Sequence, residues 1–383
     1  MRQSMQIITP ADEALTHQTA ETFATIAHAD PTWTESLWGC IGALDGSVQI
    51  DTGMKKFTNR NIFEAFGGAS RGVEQWTVRS SRRLDRDVEW AGSGPVSYEV
   101  IEPLREVRYT LAENDAVPGF AYDLTLRAVL PPFLEDKDAQ REPHGYRICS
   151  DLLRYNQVVT AAGWVQMGDD RYEATHETWG GWRGHSWGVR MDVGVLPPDL
   201  FVPDRLEQDF VLSWGPMYFT RPDGSTYELR HHLQEVDGET TYFSGYENRP
   251  DGTQIAFKGV DIKDLEFDPD TRRFIRGTFT FDCGWGETRT VEAKPVSDTG
   301  FALGTGLYFG FKGRHQGKWV GEEMTDGEVY DDITTAAAVR EVHQIRDVPI
   351  EVREGDAVGH GVYETIVVGD FPKWGLERGR SFL

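Results

Sequence analysis

The stretch VSYEVIEPLREVRYTL, residues 96–111, decides how the chain is read. Val96, Tyr98 and Val100 alternate with polar neighbours, and Val107, Tyr109 and Leu111 do so again. A period of two over short runs marks strands with one buried face. Working outward, the alternation returns at Tyr122, Leu124 and Leu126, and at Phe279, Phe281 and Cys283. It also returns at Tyr227, Leu229 and Leu233, with His231 on that face. Leu44-Asp45-Gly46, Pro222-Asp223-Gly224, Val236-Asp237-Gly238 and Pro250-Asp251-Gly252 are turn signals between such runs. So many antiparallel strands need closure or stacking to remove their edges. The sequence predicts an all-β protein built of barrels or sandwiches.

One helix is predicted, at the N-terminus. Thr9 is its N-cap, Pro10 its first residue, and Asp12 and Glu13 suit the first turn. Leu15, Thr19, Phe23 and Ile26 follow at helical spacing up to Ala27. Three prolines cluster in VGVLPPDLFVPDR, residues 193–205. The expected organisation is a helical segment over 1–30, a β domain over 31–197 and a second over 205–383. Residues 135–145 read as a charged loop, and 334–345 as helix or strand, the period deciding neither.

The chain has 383 residues, 39% of them hydrophobic, and a net charge of -23. That length permits more than one core. That charge argues against nucleic acid and anionic membranes as partners, since both attract basic patches. Cys40, Cys149 and Cys283 lack metal or redox spacing and read as free thiols of a reducing compartment. No signal-peptide pattern and no apolar run long enough to span a membrane are visible, so a cytoplasmic location without membrane insertion is expected.

Aromatic residues are abundant: 12 Trp, 13 Tyr and 20 Phe. They concentrate in ETWGGWRGHSWGVR, residues 177–190, where Trp179, Trp182 and Trp187 alternate with glycines and with Arg183, His185 and Arg190. Read as a set, they suggest an apolar cavity inside a barrel, with Arg and His as its polar handles. Strict alternation through YEATHETW puts His176 on the less charged face with Tyr172, Ala174 and Thr178. In GHGVYETIVVGD it puts Glu364 among Val362, Ile366 and Val368, where burial would raise its pKa and suit it to acid catalysis. The candidate catalytic residues are therefore His185, Glu364 and His176. The candidate substrate contacts are Trp179, Trp182, Arg183, Trp187 and Arg190. Arginine stacked on the tryptophans is the structural alternative.

No dinucleotide or Walker fingerprint is present. Gly184–Gly188 matches GxSxG, but VRMDVGVLPP after it reads as strand, not the helix that a nucleophile elbow requires. His231 and His232 would point to opposite faces of a strand, and no metal spacing is recognisable, so no metal is expected.

VEQWTVRSSRRL (73–84), VSYEVIEP (96–103), RYNQVVTAAGWVQMGDDRYE through GWRGHSWGVR (154–190) and GHGVYETIVVGDFPKWG (359–375) together resemble the AttH-like and hydroxyneurosporene-synthase-like families, lipocalin-like proteins related to carotenoid 1,2-hydratases. The resemblance covers about Thr32 to Gly375 and is most specific at HSWGVR (185–190). It implies two lipocalin-like antiparallel β-barrels packed together. It also implies proton-transfer chemistry on a large apolar molecule without an organic cofactor. Between the Arg and the His the family pattern commonly has Asp; here that residue is Gly184, so Asp192 or Glu177 is the candidate to orient His185. The function expected is a cofactor-independent lyase of hydratase or dehydratase type, or an isomerase, acting on a bulky hydrophobic or aromatic molecule. The alternative is a non-catalytic carrier or sensor of an apolar ligand. Whether the protein forms a homodimer is left open.

Overall fold

The computed structural model describes residues 8–17, 28–84, 90–142, 146–196, 199–200, 207–297 and 300–383. All five alternating runs singled out in the sequence lie in strands: Val96–Glu102, Glu106–Leu111, Phe120–Ala128, Thr226–Val236 and Phe274–Gly284. The strands form two curled antiparallel sheets.

In the first sheet the hydrogen-bonded order runs Glu323–Tyr330, Glu74–Arg83, Ile62–Arg71, Gln49–Phe57, Trp33–Ala43, Trp179–Val189, Ile148–Met167, Phe120–Ala128, Glu106–Leu111, Val96–Glu102 and Gly92–Ser93. The edge strand Glu323–Tyr330 comes from the C-terminal half of the chain. The sheet curls until its ends meet: Ser80 Oγ lies 2.9 Å from Ser93 Oγ, and Arg82 Nε donates to the Gly92 carbonyl at 2.7 Å. The second sheet centres on Phe210–Thr220 and Ala357–Val368. Its ends meet where Phe257 N–H donates to Gly245 and Lys258 N–H to Asp282. Curling satisfies the edge groups that an open sheet would leave exposed. This is the lipocalin-like arrangement expected from the sequence.

Each curled sheet has its own apolar interior. Leu37, Ile41, Tyr109, Leu124 and Trp179 belong to the first; Leu229, Phe279, Phe281, Val291 and Tyr363 belong to the second. A third cluster, with Cys40, Val158, Trp182, Trp214 and Val362, joins the outer faces of the two sheets.

The N-terminal helix is shorter than expected. A 3-10 turn, Pro10–Glu13, is all that forms among the described residues, and Thr19, Phe23 and Ile26 lie outside them. Two tertiary contacts compete with helical continuation. Glu13 is drawn into the first barrel by Arg183, and Lys56 Nζ takes the Leu15 carbonyl at 2.7 Å. The 334–345 region resolves as a helix, Ala336–Val342, with Thr335 Oγ1 accepting from Ala338 N–H at its start. The charged loop at 135–145 contains the strand Asp138–Arg141.

Candidate active site between the two sheets

The strands Trp33–Ala43 and Trp179–Val189 pair with Leu37 opposite His185, Trp38 opposite Gly184 and Cys40 opposite Trp182. Paired residues share a face. Leu37 belongs to the barrel interior and Cys40 to the joint between sheets, so Arg183, His185 and Trp187 point inward while Trp182, Gly184 and Ser186 point toward the second sheet. In the second sheet Trp214 pairs with His232 on one side and with Glu364 on the other, which puts all three on its outer face.

Between these two outer faces lies a cavity of about 150 Å³. Trp38, Trp214, Leu212 and Ile345 supply apolar wall; Arg154, Arg190, Asp192, His232 and Glu364 supply charge and proton-transfer groups. Trp38 and Trp214 meet edge to face, 5.4 Å between centroids. A neighbouring space of about 340 Å³ adjoins it, with Met191 and Gln234 bordering both.

Glu364 at its wall belongs to a cluster of three carboxyl groups whose other members, Asp347 and Asp51, are fully buried and do not line the cavity. Asp347 is hydrogen-bonded to both Asp51 and Glu364, and Trp38 Nε1 donates to Asp347 Oδ2 at 2.8 Å. Gln49 Nε2 donates to Asp51 Oδ2 at 2.5 Å. Asp51 Oδ1 and Asp347 Oδ1 receive no N–H or O–H donor among the described residues. Two acceptor-only carboxylates within hydrogen-bonding reach require a shared proton. Burial pushes Glu364 up to about 8, and the Asp347 charge adds to this against Arg154 and Arg190. Burial likewise pushes Asp51 up to about 7 and Asp347 well above the usual range. Glu364 is thus an uncharged acid near neutral pH, as its apolar neighbours in the sequence suggest.

Beneath this cavity Glu135 ties the sheets together. Its carboxylate accepts from Asn156 Nδ2 (2.9 Å) on one sheet and from Trp214 Nε1 (3.1 Å) and Arg230 (2.7 Å) on the other. Burial opposes its charge, but Arg154, His232 and Arg230 hold it well below the usual carboxylate range.

The other residues singled out in the sequence fall elsewhere. Trp179 belongs to the first barrel's core, buried Trp182 donates to Glu228 Oε1 at 3.0 Å, and Trp187 stacks on His17 at 3.7 Å; none lines the cavity. Arg183 is closed inside the barrel in a bidentate pair with Glu13, at 2.6 and 2.9 Å. Its guanidinium lies 5.8 Å from the Tyr155 ring centroid, and among the described residues it stacks on neither tryptophan. Arg190 lines the cavity, 3.7 Å from Asp192. His185 contributes to the cavity wall, but its imidazole bonds Glu35 at 3.1 Å on the inner side. Its acidic partner is therefore Glu35, not Asp192 or the exposed Glu177. His176 is not on a strand. The strand ends at Ala174, and Thr175–Trp179 turns back through N–H bonds to the Thr175 carbonyl. There His176 Nδ1 meets Thr160 Oγ1 at 3.0 Å.

The cavity therefore joins Glu364, Arg190 and the wall at His185, and adds Trp38, Trp214 and Arg154, with Asp347 held against Glu364 outside the lining; sequence reasoning missed these four. The expectation of a hollow barrel is corrected at the same point. The candidate site lies between the sheets, and the first barrel is occupied by its apolar core and by Glu13 from the N-terminal segment. His231 and His232 do point to opposite faces: His231 packs on Phe279, His232 bonds Glu135. Ser186 sits mid-strand, without the strand-to-helix elbow of a serine hydrolase.

The fold places the molecule among the lipocalin-like AttH folds. The chain belongs to a family of unknown function, DUF8625, whose profile matches residues 8–377. Among solved structures it is similar to a Nitrosomonas europaea protein provisionally described as AttH (NE1406). The TM-score is 0.50 at 12% identity, over 88% of this chain and 93% of that one. It is also similar to kievitone hydratase from Nectria haematococca (TM-score 0.49, 8% identity, 95% and 94% coverage) and to CghA (TM-score 0.46, 12% identity, 95% and 96% coverage). No curated protein matches by sequence. Among the described residues no helix is long and apolar enough to cross a membrane.

Proposed function

We propose that the protein is a lyase of hydratase or dehydratase type, acting by proton transfer on an alkene or alcohol carried by a hydrophobic or aromatic molecule. The observation that carries this reading is the placement of Glu364: a carboxyl at the wall of a tryptophan-lined cavity, in contact with the buried acid Asp347, where desolvation and the Asp347 charge favour its acid form. In the hydration direction, Glu364 gives its proton to one alkene carbon. The faces of Trp38 and Trp214 and the nearby carboxyl groups stabilise the cationic charge that develops on the other carbon. Water adds to that carbon, and the proton it releases returns to the Glu364–Asp347 pair. Dehydration is the reverse. A cavity of about 150 Å³ is the size that accepts a single benzene-like ring, so the reacting ring or double bond enters it while the rest of the molecule lies in the adjoining groove.

The test is proton exchange. The protein is incubated in D2O with a panel of isoprenoid and phenolic alkenes and alcohols, and mass spectrometry reads deuterium or water incorporation. Turnover should appear in the wild type and fall about 100-fold or more in Glu364→Gln. Ligands bound but returned chemically unchanged by the wild type would mean a carrier, not an enzyme.

A further inference from the structure

We infer that His17, Glu35 and His185 form a binding site for one divalent transition-metal ion of the zinc type, on the inner face of the first barrel. His185 borders both this site and the cavity described above, but its imidazole faces this one, and none of the three ligands takes part in the proton transfer proposed there. The three side chains come from the N-terminal segment, from Trp33–Ala43 and from Trp179–Val189, and their donor atoms all lie within 4.8 Å of one another. His17 Nδ1 is 2.5 Å and His185 Nε2 3.1 Å from the same oxygen, Glu35 Oε1. A tetrahedral zinc ion at about 2.0–2.1 Å from each donor needs them roughly 3.3 Å apart, so small side-chain rotations suffice. Two imidazoles and one carboxylate are a donor set that zinc uses when a fourth position is left to water.

The outer contacts are those a metal site needs. The His17 backbone N–H is shared between Glu35 Oε2 at 3.2 Å and Oε1 at 3.4 Å, and Oε1 also faces both imidazoles. His17 Nε2 meets Asp12 Oδ1 at 3.2 Å, and Asp12 Oδ2 is itself held by Thr9 N–H and Thr9 Oγ1 at 2.6 and 2.9 Å. A carboxylate on the distal nitrogen fixes the tautomer that frees Nδ1 for a metal. Trp187, stacked on His17, fixes the ring plane. His185 Nδ1 has no partner among the described residues, so nothing competes for the tautomer that presents Nε2. A metal here would pin residues 8–17 into the barrel, because one ligand comes from that segment.

The experiment uses the full chain, stripped with chelator and dialysed, then titrated with zinc chloride by calorimetry and with cobalt(II) by visible absorption. About one equivalent of zinc and a tetrahedral cobalt band are expected. His17→Gln, in a half-buried residue off the barrel wall, should bind zinc at least tenfold more weakly while keeping the wild-type circular dichroism. Asp12→Asn should weaken binding about tenfold through the outer contact. Less than a tenth of an equivalent bound by the wild type would overturn the inference. So would binding undiminished in folded His17→Gln and Asp12→Asn.

Discussion

Glu364 shows how one side chain takes its properties from its surroundings. Its bonded neighbours are ordinary strand residues, yet Asp347, Asp51, Arg154 and Arg190 reach it from four other segments. Its pKa of about 8 stands above the unfolded value near 4.5, so the folded state binds the extra proton between those pH values. Stability should therefore fall as pH rises through that window, since the unfolded chain releases its proton there while the folded protein keeps it, and should level off above about pH 8, where the folded carboxyl also ionises. Glu364→Gln removes this penalty. At pH 9 the variant should exceed the wild type in stability by about 2 kcal/mol, read by thermal unfolding, and the difference should shrink toward pH 5. Activity should follow the acid form, holding below pH 8 and declining above it. A wild-type rate that rises from pH 7 to pH 9 would rule out Glu364 as the proton donor.

At the scale of the strand, Trp179–Val189 uses glycine where neighbouring chains approach. A Cβ on Gly181 would meet the Cys40 carbonyl oxygen at 2.1 Å, and one on Gly184 would meet Asn156 Oδ1 at 2.5 Å. The second contact explains why this chain has no Asp at that position. Gly184 faces the joint between sheets, so an acid there would strike Asn156 rather than reach His185 across the strand. His185 instead finds Glu35, a residue 150 positions away in sequence. Gly184→Asp should displace Asn156 from Glu135 and cost about 2–3 kcal/mol in denaturant unfolding. The N-terminal segment makes a related point. Its cap and first-turn acids were legible, but the segment goes no further than the 3-10 turn that ends at Glu13, whose carboxylate is held by Arg183; burial opposes its charge, and the bidentate pair with Arg183 nevertheless brings Glu13 down to about 2. Local propensity yields here to a buried ion pair.

Across the whole molecule, two devices join the sheets. The strand Glu323–Tyr330 pairs with Glu74–Arg83, so the C-terminal half contributes an edge to the first sheet. Glu135 bridges Asn156 on one side to Trp214 and Arg230 on the other. Removing one member of a buried charge network leaves the others unpaired. Glu135→Gln should therefore cost about 3–5 kcal/mol, measured by chemical denaturation, and should disturb the cavity above it even where both barrels stay folded. A loss below about 1 kcal/mol would mean that the apolar joint around Cys40, Trp182 and Val362 holds the sheets without it.

Strand period and turn residues are local properties, and they were enough to determine an all-β chain with its hairpins in the right places. The alternation around Glu364 also showed that an acid would sit among apolar neighbours, because a strand's two faces are written in consecutive residues. Which face meets what is not a local property. Trp38 and Trp214, Glu35 and His185, and Asp51 and Asp347 become neighbours only when curled sheets bring distant strands together. The cavity arose between two outer faces rather than inside a barrel because packing two convex sheets leaves space at their joint, and no sequence period reports that space.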